Sequence, residues 1–208
     1  MTHQTENGDR RNMAKRFETS RLIMRPLEMK DLSGLEKLIL SDPDVMRYYS
    51  FPRPAVDTSK PMEYLAFRIM EARFSDFHAW AIQRKSDGQF LGIVRLEAYL
   101  NRYNRFWSDP TPRFNEVEVE LVCALGKQFW GNGFAHEASK VVVEYAFNEL
   151  KIPRLVGGAH KNNPRAARLQ ERLGYSVEVN SKDGSFASML HARNYFPEKI
   201  VQPKIPKG

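Results

Sequence analysis

The sequence has little that would tie it to a membrane, an oxidising compartment or a metal ion. Cys123 is its one cysteine, so no internal disulfide can form, which favours a reducing compartment. No apolar run approaches the roughly 20 residues that span a bilayer, and residues 1–16 lack the apolar segment of a secretory signal. The histidines show no metal-ligand spacing, since His136-Glu137 is followed by lysine at position 140. We therefore expect a cytoplasmic protein with no membrane partner and no metal.

The net charge of +7 suggests nucleic-acid binding at first sight, but most of this charge lies at the chain ends. Residues 1–16 carry four cationic and two acidic side chains, and residues 199–208 carry three lysines and no acid. Residues 17–198 carry a net charge of only +2, which does not favour nucleic acid as a partner. We interpret residues 1–16 as a disordered N-terminal tail, 17–196 as one domain and 197–208 as a basic C-terminal tail.

Hydrophobic residues make up 42% of the chain, which is typical of a globular protein. Their spacing predicts a single α+β domain in the order β-α-α-β-β-β-α-β-α-β-β. The predicted strands cover residues 22–27, 78–83, 90–96, 115–125, 154–160, 175–180 and 187–195, and the predicted helices cover residues 31–41, 61–75, 134–150 and 164–172. Asp31 is predicted to cap the first helix, and Asn163 to cap the last.

The most informative segment is Trp130-Gly131-Asn132-Gly133-Phe134-Ala135, which follows a predicted strand and opens a predicted helix. Unpaired N–H groups and the positive end of a helix favour an anion, and glycine leaves room for it to approach. A P-loop would need Gly-Lys-Ser/Thr, which Phe134 and Ala135 exclude. A dinucleotide site would need a third glycine, where this chain has His136. The remaining template is the turn that binds the pyrophosphate of an acyl coenzyme A.

Three further matches follow this turn in order. His136-Glu137-Ala138 is similar to a Thr-Glu-Ala pattern, Asn163 stands at a recurrent asparagine, and residues 171–175 match a Glu-Lys-Leu-Gly-Phe ending. With the order of elements over residues 17–196, they resemble the Gcn5-related N-acetyltransferase (GNAT) superfamily, and most closely its ribosomal-protein N-acetyltransferase branch. The resemblance implies the GNAT fold, a mixed and mostly antiparallel sheet with helices on both faces.

The resemblance also implies acetyl transfer from acetyl-CoA, as cosubstrate, to a primary amine by direct attack. The acceptor would be a protein N-terminus or a small amine. The implied cofactor-binding residues are Cys123, Leu125, Trp130, Gly131, Asn132, Gly133, Phe134, Ala135 and Asn163. Main-chain groups of Cys123 and Leu125 would bond the pantetheine arm, and residues 130–135 would hold the pyrophosphate. Asn163 would bond the arm or position its helix, or serve only as a helix cap.

Direct transfer needs a base that removes a proton from the amine. Glutamate alternates with apolar residues over positions 116–121, so Glu116, Glu118 and Glu120 share one strand face, about 7 Å apart between successive pairs. This face would line a wet cleft or be an ordinary solvated sheet face. The branch commonly has a glutamate just before this strand splays from its neighbour, so the resemblance makes Glu120 the first candidate for the catalytic base and Glu118 the second. The carboxylates also favour a cationic acceptor.

Two positions depart from the family. Gln170 stands where many members have a tyrosine that protonates the departing thiolate, and Ala166 stands where the branch has serine. No general acid is therefore assigned, and water, Tyr99 and Tyr103 remain alternatives. The departures also leave open a coenzyme A-binding protein without transferase activity.

Two features keep more than one interpretation. Residues 99–114 interleave aromatic side chains with arginines, and could stack on bases, clamp an acidic substrate, form a homodimer contact or fold onto their own domain. Cys123 could act as a nucleophile in a ping-pong route. However, no histidine is placed beside it, and the role of a small buried hydrophobe is favoured.

Overall fold

The computed structural model describes residues 15–48, 57–100, 117–180 and 184–195, apart from the side chain of residue 100. The strands are β1 (Phe17–Glu18), β2 (Leu22–Pro26), β3 (Ala79–Arg84), β4 (Phe90–Leu100), β5 (Val117–Leu125), β6 (Arg154–Ala159), β7 (Ser176–Val179) and β8 (Phe186–His191). The α-helices are α1 (Leu32–Leu35), α2 (Pro43–Met46), α3 (Pro61–Phe74), α4 (Phe134–Asn148), α5 (Pro164–Arg172) and α6 (Ala192–Tyr195).

The strands form one mixed sheet in the order β1-β2-β3-β4-β5-β6-β8-β7. The pairs β1/β2, β2/β3, β3/β4, β6/β8 and β7/β8 are antiparallel. The pair β5/β6 is parallel and aligns Val119 with Leu155 and Glu120 with Val156. A mostly antiparallel sheet combined with helices confirms the predicted α+β fold class.

The chain forms two compact units, Met1–Glu97 with Leu121–Val142, and Ala98–Glu120 with Val143–Gly208. In the first unit, buried residues of α1 and α3, including Leu35 and Leu65, pack with Ile93 of β4. In the second unit, Leu155 of β6 and Leu190 of β8 face each other across their pairing and are buried. Apolar burial is the main favourable contribution to folding in each unit.

Adjacent residues of β5 contact helices on opposite faces of the sheet. Ala124 belongs to the core cluster of α1 and α3, whereas the Cys123 thiol contacts Ser139 of α4. Consecutive residues of a strand point to opposite faces. Helices therefore cover both faces of this part of the sheet, as predicted.

The first predicted helix, 31–41, is less regular than expected. Only α1 is α-helical, and a π-helical turn covers Glu36–Leu40. The Asp31 side chain does not cap α1. It accepts two hydrogen bonds from the Arg25 guanidinium, at 2.8 and 2.7 Å, and one from the Glu28 N–H at 2.8 Å. The predicted cap was wrong because a charge-assisted pair with a buried arginine engages this carboxylate.

Two other predictions have different outcomes. The predicted strand 187–195 ends at His191 and continues as α6. Residues 101–116, and therefore most of the loop at 99–114, lie outside the described residues, as do residues 1–14 of the predicted N-terminal tail (1–16) and the whole predicted C-terminal tail (197–208). The domain boundaries at 17 and 196 stay predictions.

No helix within the described residues is long and apolar enough to cross a membrane. The same residues contain no group of three or more His, Cys, Asp or Glu side chains that could hold a metal ion.

The Arg25–Asp31 pair yields a stability prediction. Arg25 is 7% exposed and Asp31 is 3% exposed, so Asp31→Asn leaves a buried guanidinium without its buried counter-charge. We expect the free energy of unfolding to fall by about 3–5 kcal/mol, measured by urea denaturation. Glu28→Gln is the matched control, because Glu28 lies 3.5 Å from the same guanidinium but is half exposed. Its loss should stay below about 1 kcal/mol, and equal losses in the two variants would contradict the argument.

Candidate active site

The glycine turn, defined as residues 130–135, leads into α4 in the first unit. Its indole anchors it to the end of β5, because the Trp130 ring N–H donates to the Leu125 carbonyl at 2.8 Å. The same ring packs on the core cluster. The Asn132 side-chain amide donates to two preceding carbonyls, those of Phe129 at 3.2 Å and Trp130 at 3.1 Å. The shape of the turn therefore depends on contacts made within the first unit.

Both glycines of the turn have a left-handed backbone. Gly131 and Gly133 each have a φ of 80°, which glycine adopts readily and other residues adopt at a cost. A Cβ on Gly131 would meet no heavy atom within 4 Å, so conformation rather than crowding requires glycine there. Because α4 begins at Phe134, the first N–H groups of the helix have no partner within it. An open turn with these donors fits a phosphate group.

Arg21 and Glu137 form an ion pair beside this turn. The sequence does not indicate this pairing, because 116 residues separate the two positions. Glu137 accepts hydrogen bonds from the Thr19 hydroxyl at 2.5 Å, from the Arg21 backbone N–H at 3.1 Å and from Arg21 Nε at 2.7 Å. Burial acts to raise the pKa of Glu137, but these hydrogen bonds lower it overall. The guanidinium also donates to the Asn132 carbonyl at 3.1 Å.

Glu118 and Glu120, the candidate bases, lie on β5 in the second unit. Their residues are 4% and 7% exposed, which excludes the alternative of an ordinary solvated sheet face. Arg154 Nη2 lies 3.7 Å from Glu118 Oε1. The parallel register that aligns Glu120 with Val156 also brings residues 118 and 154 side by side. Glu116 lies outside the described residues.

Tyr175, in the second unit, stands at the position of the phenylalanine in the Glu-Lys-Leu-Gly-Phe pattern. The residue is 6% exposed, and its hydroxyl has no hydrogen-bond partner among the described residues. Burial raises the pKa of this phenol, and the negative charge of Glu120 raises it further. The hydroxyl therefore stays protonated at neutral pH, within electrostatic reach of Glu120.

Gln170, which replaces the family's tyrosine, lies against β6. Its amide donates to the Gly158 carbonyl at 3.4 Å. A Cβ on Gly157 would come within 2.6 Å of Gln170 Nε2 and 2.8 Å of Ser188 Oγ, so a larger residue there would displace these two side chains. The Gln170 side-chain oxygen and the Ser188 hydroxyl are buried without a hydrogen-bond partner in the described part of the chain. An amide is not an acid at neutral pH, so Gln170 cannot take over the tyrosine's proton transfer.

The remaining predicted residues have plainer outcomes. Asn163 caps α5, because its side-chain oxygen accepts from the Ala166 N–H at 3.4 Å. The cap is confirmed, and a contact with the ligand stays a prediction. Tyr99 is 6% exposed, and Tyr103 lies outside the described residues. Burial raises the pKa of the Cys123 thiol to about 12, against a smaller lowering by Ser139, which disfavours a nucleophilic thiolate.

Comparison with known proteins places these features in a family. Residues 21–176 match the family model described as "Acetyltransferase (GNAT) domain". A Bacillus subtilis protein named "Putative ribosomal N-acetyltransferase YdaF" is 22% identical over 170 residues, which cover 82% of this chain and 86% of that protein. The spermidine N(1)-acetyltransferase of Escherichia coli K12 is 28% identical over 159 residues, which cover 74% of this chain and 73% of that protein.

A solved structure shows the same fold. The crystal structure of an acetyltransferase from Agrobacterium tumefaciens aligns with a TM-score of 0.63 and 22% identity, covering 85% of this chain and 94% of that one. The family match includes the glycine turn, β5 and α5. The predicted GNAT resemblance and fold are therefore confirmed.

The raised pKa of Cys123 predicts low thiol reactivity. Thiolates rather than thiols react with disulfide reagents, so a thiol with a pKa of about 12 is nearly inert at pH 8. We expect the folded protein to react with a chromogenic disulfide roughly 1,000-fold more slowly than the urea-unfolded chain, whose thiol has a pKa of about 8.5. Cys123 is the one cysteine of the chain, so the signal has a single source. Comparable rates before and after unfolding would contradict the prediction.

Proposed function

The chain belongs to the GNAT family of acetyltransferases, and on that premise we propose that it acetylates the primary amine of a cationic acceptor by direct attack on acetyl-CoA. Members of this family use acetyl-CoA as cosubstrate. Because the chain belongs to the family, it is an N-acetyltransferase. The acceptor class and the roles of individual residues are the new parts of the proposal. The observation that carries them is the pair of buried glutamates on β5, Glu118 and Glu120.

For the cosubstrate, we propose that residues 130–135 hold the pyrophosphate. Main-chain groups of Cys123 and Leu125 bond the pantetheine arm, and Asn163 contacts the arm while it caps α5. The left-handed glycines and the unpaired N–H groups at the start of α4 support the pyrophosphate role. Acetyl-CoA, when bound, supplies the activated acetyl thioester. The proposed catalytic domain is residues 17–196.

For the base, Glu120 is the first candidate. A base must offer its carboxylate to the proton of the attacking ammonium, directly or through one water molecule. The resemblance favours Glu120 for this role, because the family branch commonly has a glutamate just before this strand splays from its neighbour. Glu118 is the second candidate, and its Oε1 lies 3.7 Å from Arg154 Nη2. The deprotonated amine then attacks the carbonyl carbon, the C–S bond breaks with its electron pair staying on sulfur, and the nitrogen loses its second proton to water.

The departing thiolate needs a proton, and we propose that water supplies it. Gln170 has no acidic proton, as described above. The pKa of Tyr175 is raised above its usual value, so its phenol is a weaker acid than an ordinary thiol, whose pKa is about 8.5. Proton transfer from Tyr175 to the thiolate would therefore be uphill.

For the acceptor, the carboxylates of β5 favour a cation by simple attraction. Two relatives indicate the kinds of amine to test, since their names specify spermidine and ribosomal acetylation. We propose a polyamine or a protein N-terminus as the acceptor class. Both are cationic amines at neutral pH that must lose a proton before attack.

A turnover screen tests this proposal. The protein is incubated with acetyl-CoA and a panel of N-terminal peptides, polyamines and aminoglycosides, and release of the free thiol is followed. We expect turnover with at least one cationic amine and none with neutral alcohols of similar size. Binding of coenzyme A without turnover on any amine would instead support the alternative of a binding protein without transferase activity.

Glu120→Gln tests the base. It removes the proton acceptor but keeps the shape of the side chain, so we expect kcat to fall roughly 10²- to 10⁴-fold. The dissociation constant of coenzyme A, measured by calorimetry, should not change. Glu118→Gln is the matched control on the same strand face, and its kcat should fall much less. An unchanged rate in Glu120→Gln would remove this residue from the mechanism.

A further inference from the structure

We propose that Arg21 binds the diphosphate of the cosubstrate, and that Glu137 holds its guanidinium in place for this contact. Arg21 lies in the turn between β1 and β2, in the same compact unit as the glycine turn. The inference rests on the proposed function, because it takes acetyl-CoA as the ligand of the glycine turn.

The guanidinium is fixed beside the turn by four contacts, two of which go to the same oxygen. Nε and Nη2 lie 2.7 and 2.6 Å from Glu137 Oε2. Nη1 donates to the Asn132 carbonyl at 3.1 Å, and the group lies over the Phe134 ring at 4.6 Å from its centre. A Cβ built on Gly133 would come within 3.5 Å of Nη2. The cation therefore lies against the two residues that join the turn to α4.

The two partners of this ion pair differ in exposure. The Arg21 side chain is 47% exposed, whereas that of Glu137 is 17% exposed. Besides Arg21, Glu137 is covered by hydrogen bonds from the Thr19 and Ser20 hydroxyls. The contacts of Arg21 leave further N–H groups on Nη1 and Nη2 without a partner among the described residues. The guanidinium thus keeps an open side while its counter-ion is enclosed.

An open guanidinium at this place suits a diphosphate. Arginine presents a planar fork that matches phosphate oxygens bidentately. It adds a full positive charge to the unpaired N–H groups at the start of α4, which by themselves favour an anion. Because Glu137 and Asn132 already hold the side chain, binding would cost little of its conformational freedom. Arg21 is therefore a preorganised phosphate ligand, and not only half of a structural ion pair between the β1–β2 turn and α4.

Calorimetry with two ligands tests this role. Coenzyme A and dephospho-coenzyme A both carry the diphosphate, but only the first has the 3′-phosphate. Arg21→Ala should weaken both by the same factor, on the order of 10- to 100-fold for a hydrogen-bonded charged group. Arg21→Lys keeps the charge but loses the fork, so its loss should be intermediate and again equal for both ligands. If Arg21→Ala does not fold, the affinities of Arg21→Lys for the two ligands still test the proposal.

Two control variants distinguish a phosphate-binding role of Arg21 from a purely structural role. Arg16→Ala removes an exposed cation that pairs with Glu18, and both affinities should stay within about twofold, as for typical exposed pairs. Glu137→Gln loosens the hold on Arg21 but keeps the guanidinium, so its loss of affinity should be clearly smaller than that of Arg21→Ala. Thermal unfolding of each variant reports on folding.

Four outcomes would overturn the proposal. The first is an unchanged affinity in Arg21→Ala, and the second is a loss confined to coenzyme A, which would indicate a contact with the 3′-phosphate. The third is an equal loss in Glu137→Gln, which would indicate that the ion pair has only a structural role. The fourth is an equal loss in Arg16→Ala, which would indicate a general effect of charge. Failure of the unmodified protein to bind either ligand would overturn the proposed acetyl-CoA site itself. That failure appears before any variant is compared, so the two are distinguishable.

Discussion

The unpaired N–H groups at the start of α4 are the constraint on which the glycine turn depends. A helix cannot satisfy its first N–H groups internally, and a helix end must direct them to side chains, solvent or a ligand. Here Gly131 and Gly133, which adopt left-handed backbone conformations and carry no side chain, directly precede the helix. Trp130 anchors the turn to β5. The local backbone therefore favours an anion before any particular ligand is considered.

Three largely enclosed carboxylates among the described residues follow a second constraint. A carboxylate removed from water needs a cation or hydrogen-bond donors. Asp31 has Arg25, Glu118 has Arg154, and Glu137 has Arg21 together with hydroxyl donors. The Arg25 pair is enclosed on both sides and serves stability, whereas Arg21 keeps an exposed side. This difference in exposure separates a structural ion pair from one that can still bind a ligand.

Much of the fold and part of the site could be predicted from local patterns. The period of apolar residues predicts strands and helices, because each element buries one face, and the glycine turn and the Asn163 cap depend on neighbouring residues alone. The motif at residues 130–135, Asn163 and the ending at residues 171–175, in the same order along the chain as in the family, together indicated the family. The alternation of Glu118 and Glu120 also predicted that they share a face, but not whether that face is solvated or buried.

The rest depended on contacts between residues far apart in the chain. The sequence by itself determined the elements, the turn and the family, since these follow from spacing and local backbone chemistry. Only the tertiary structure decided that Asp31 pairs with Arg25 instead of capping α1, and that Arg21 meets Glu137 across 116 residues. It also decided the burial of the two glutamates. The physical reason is that burial and charge pairing are properties of packed elements, which no single segment of the chain encodes.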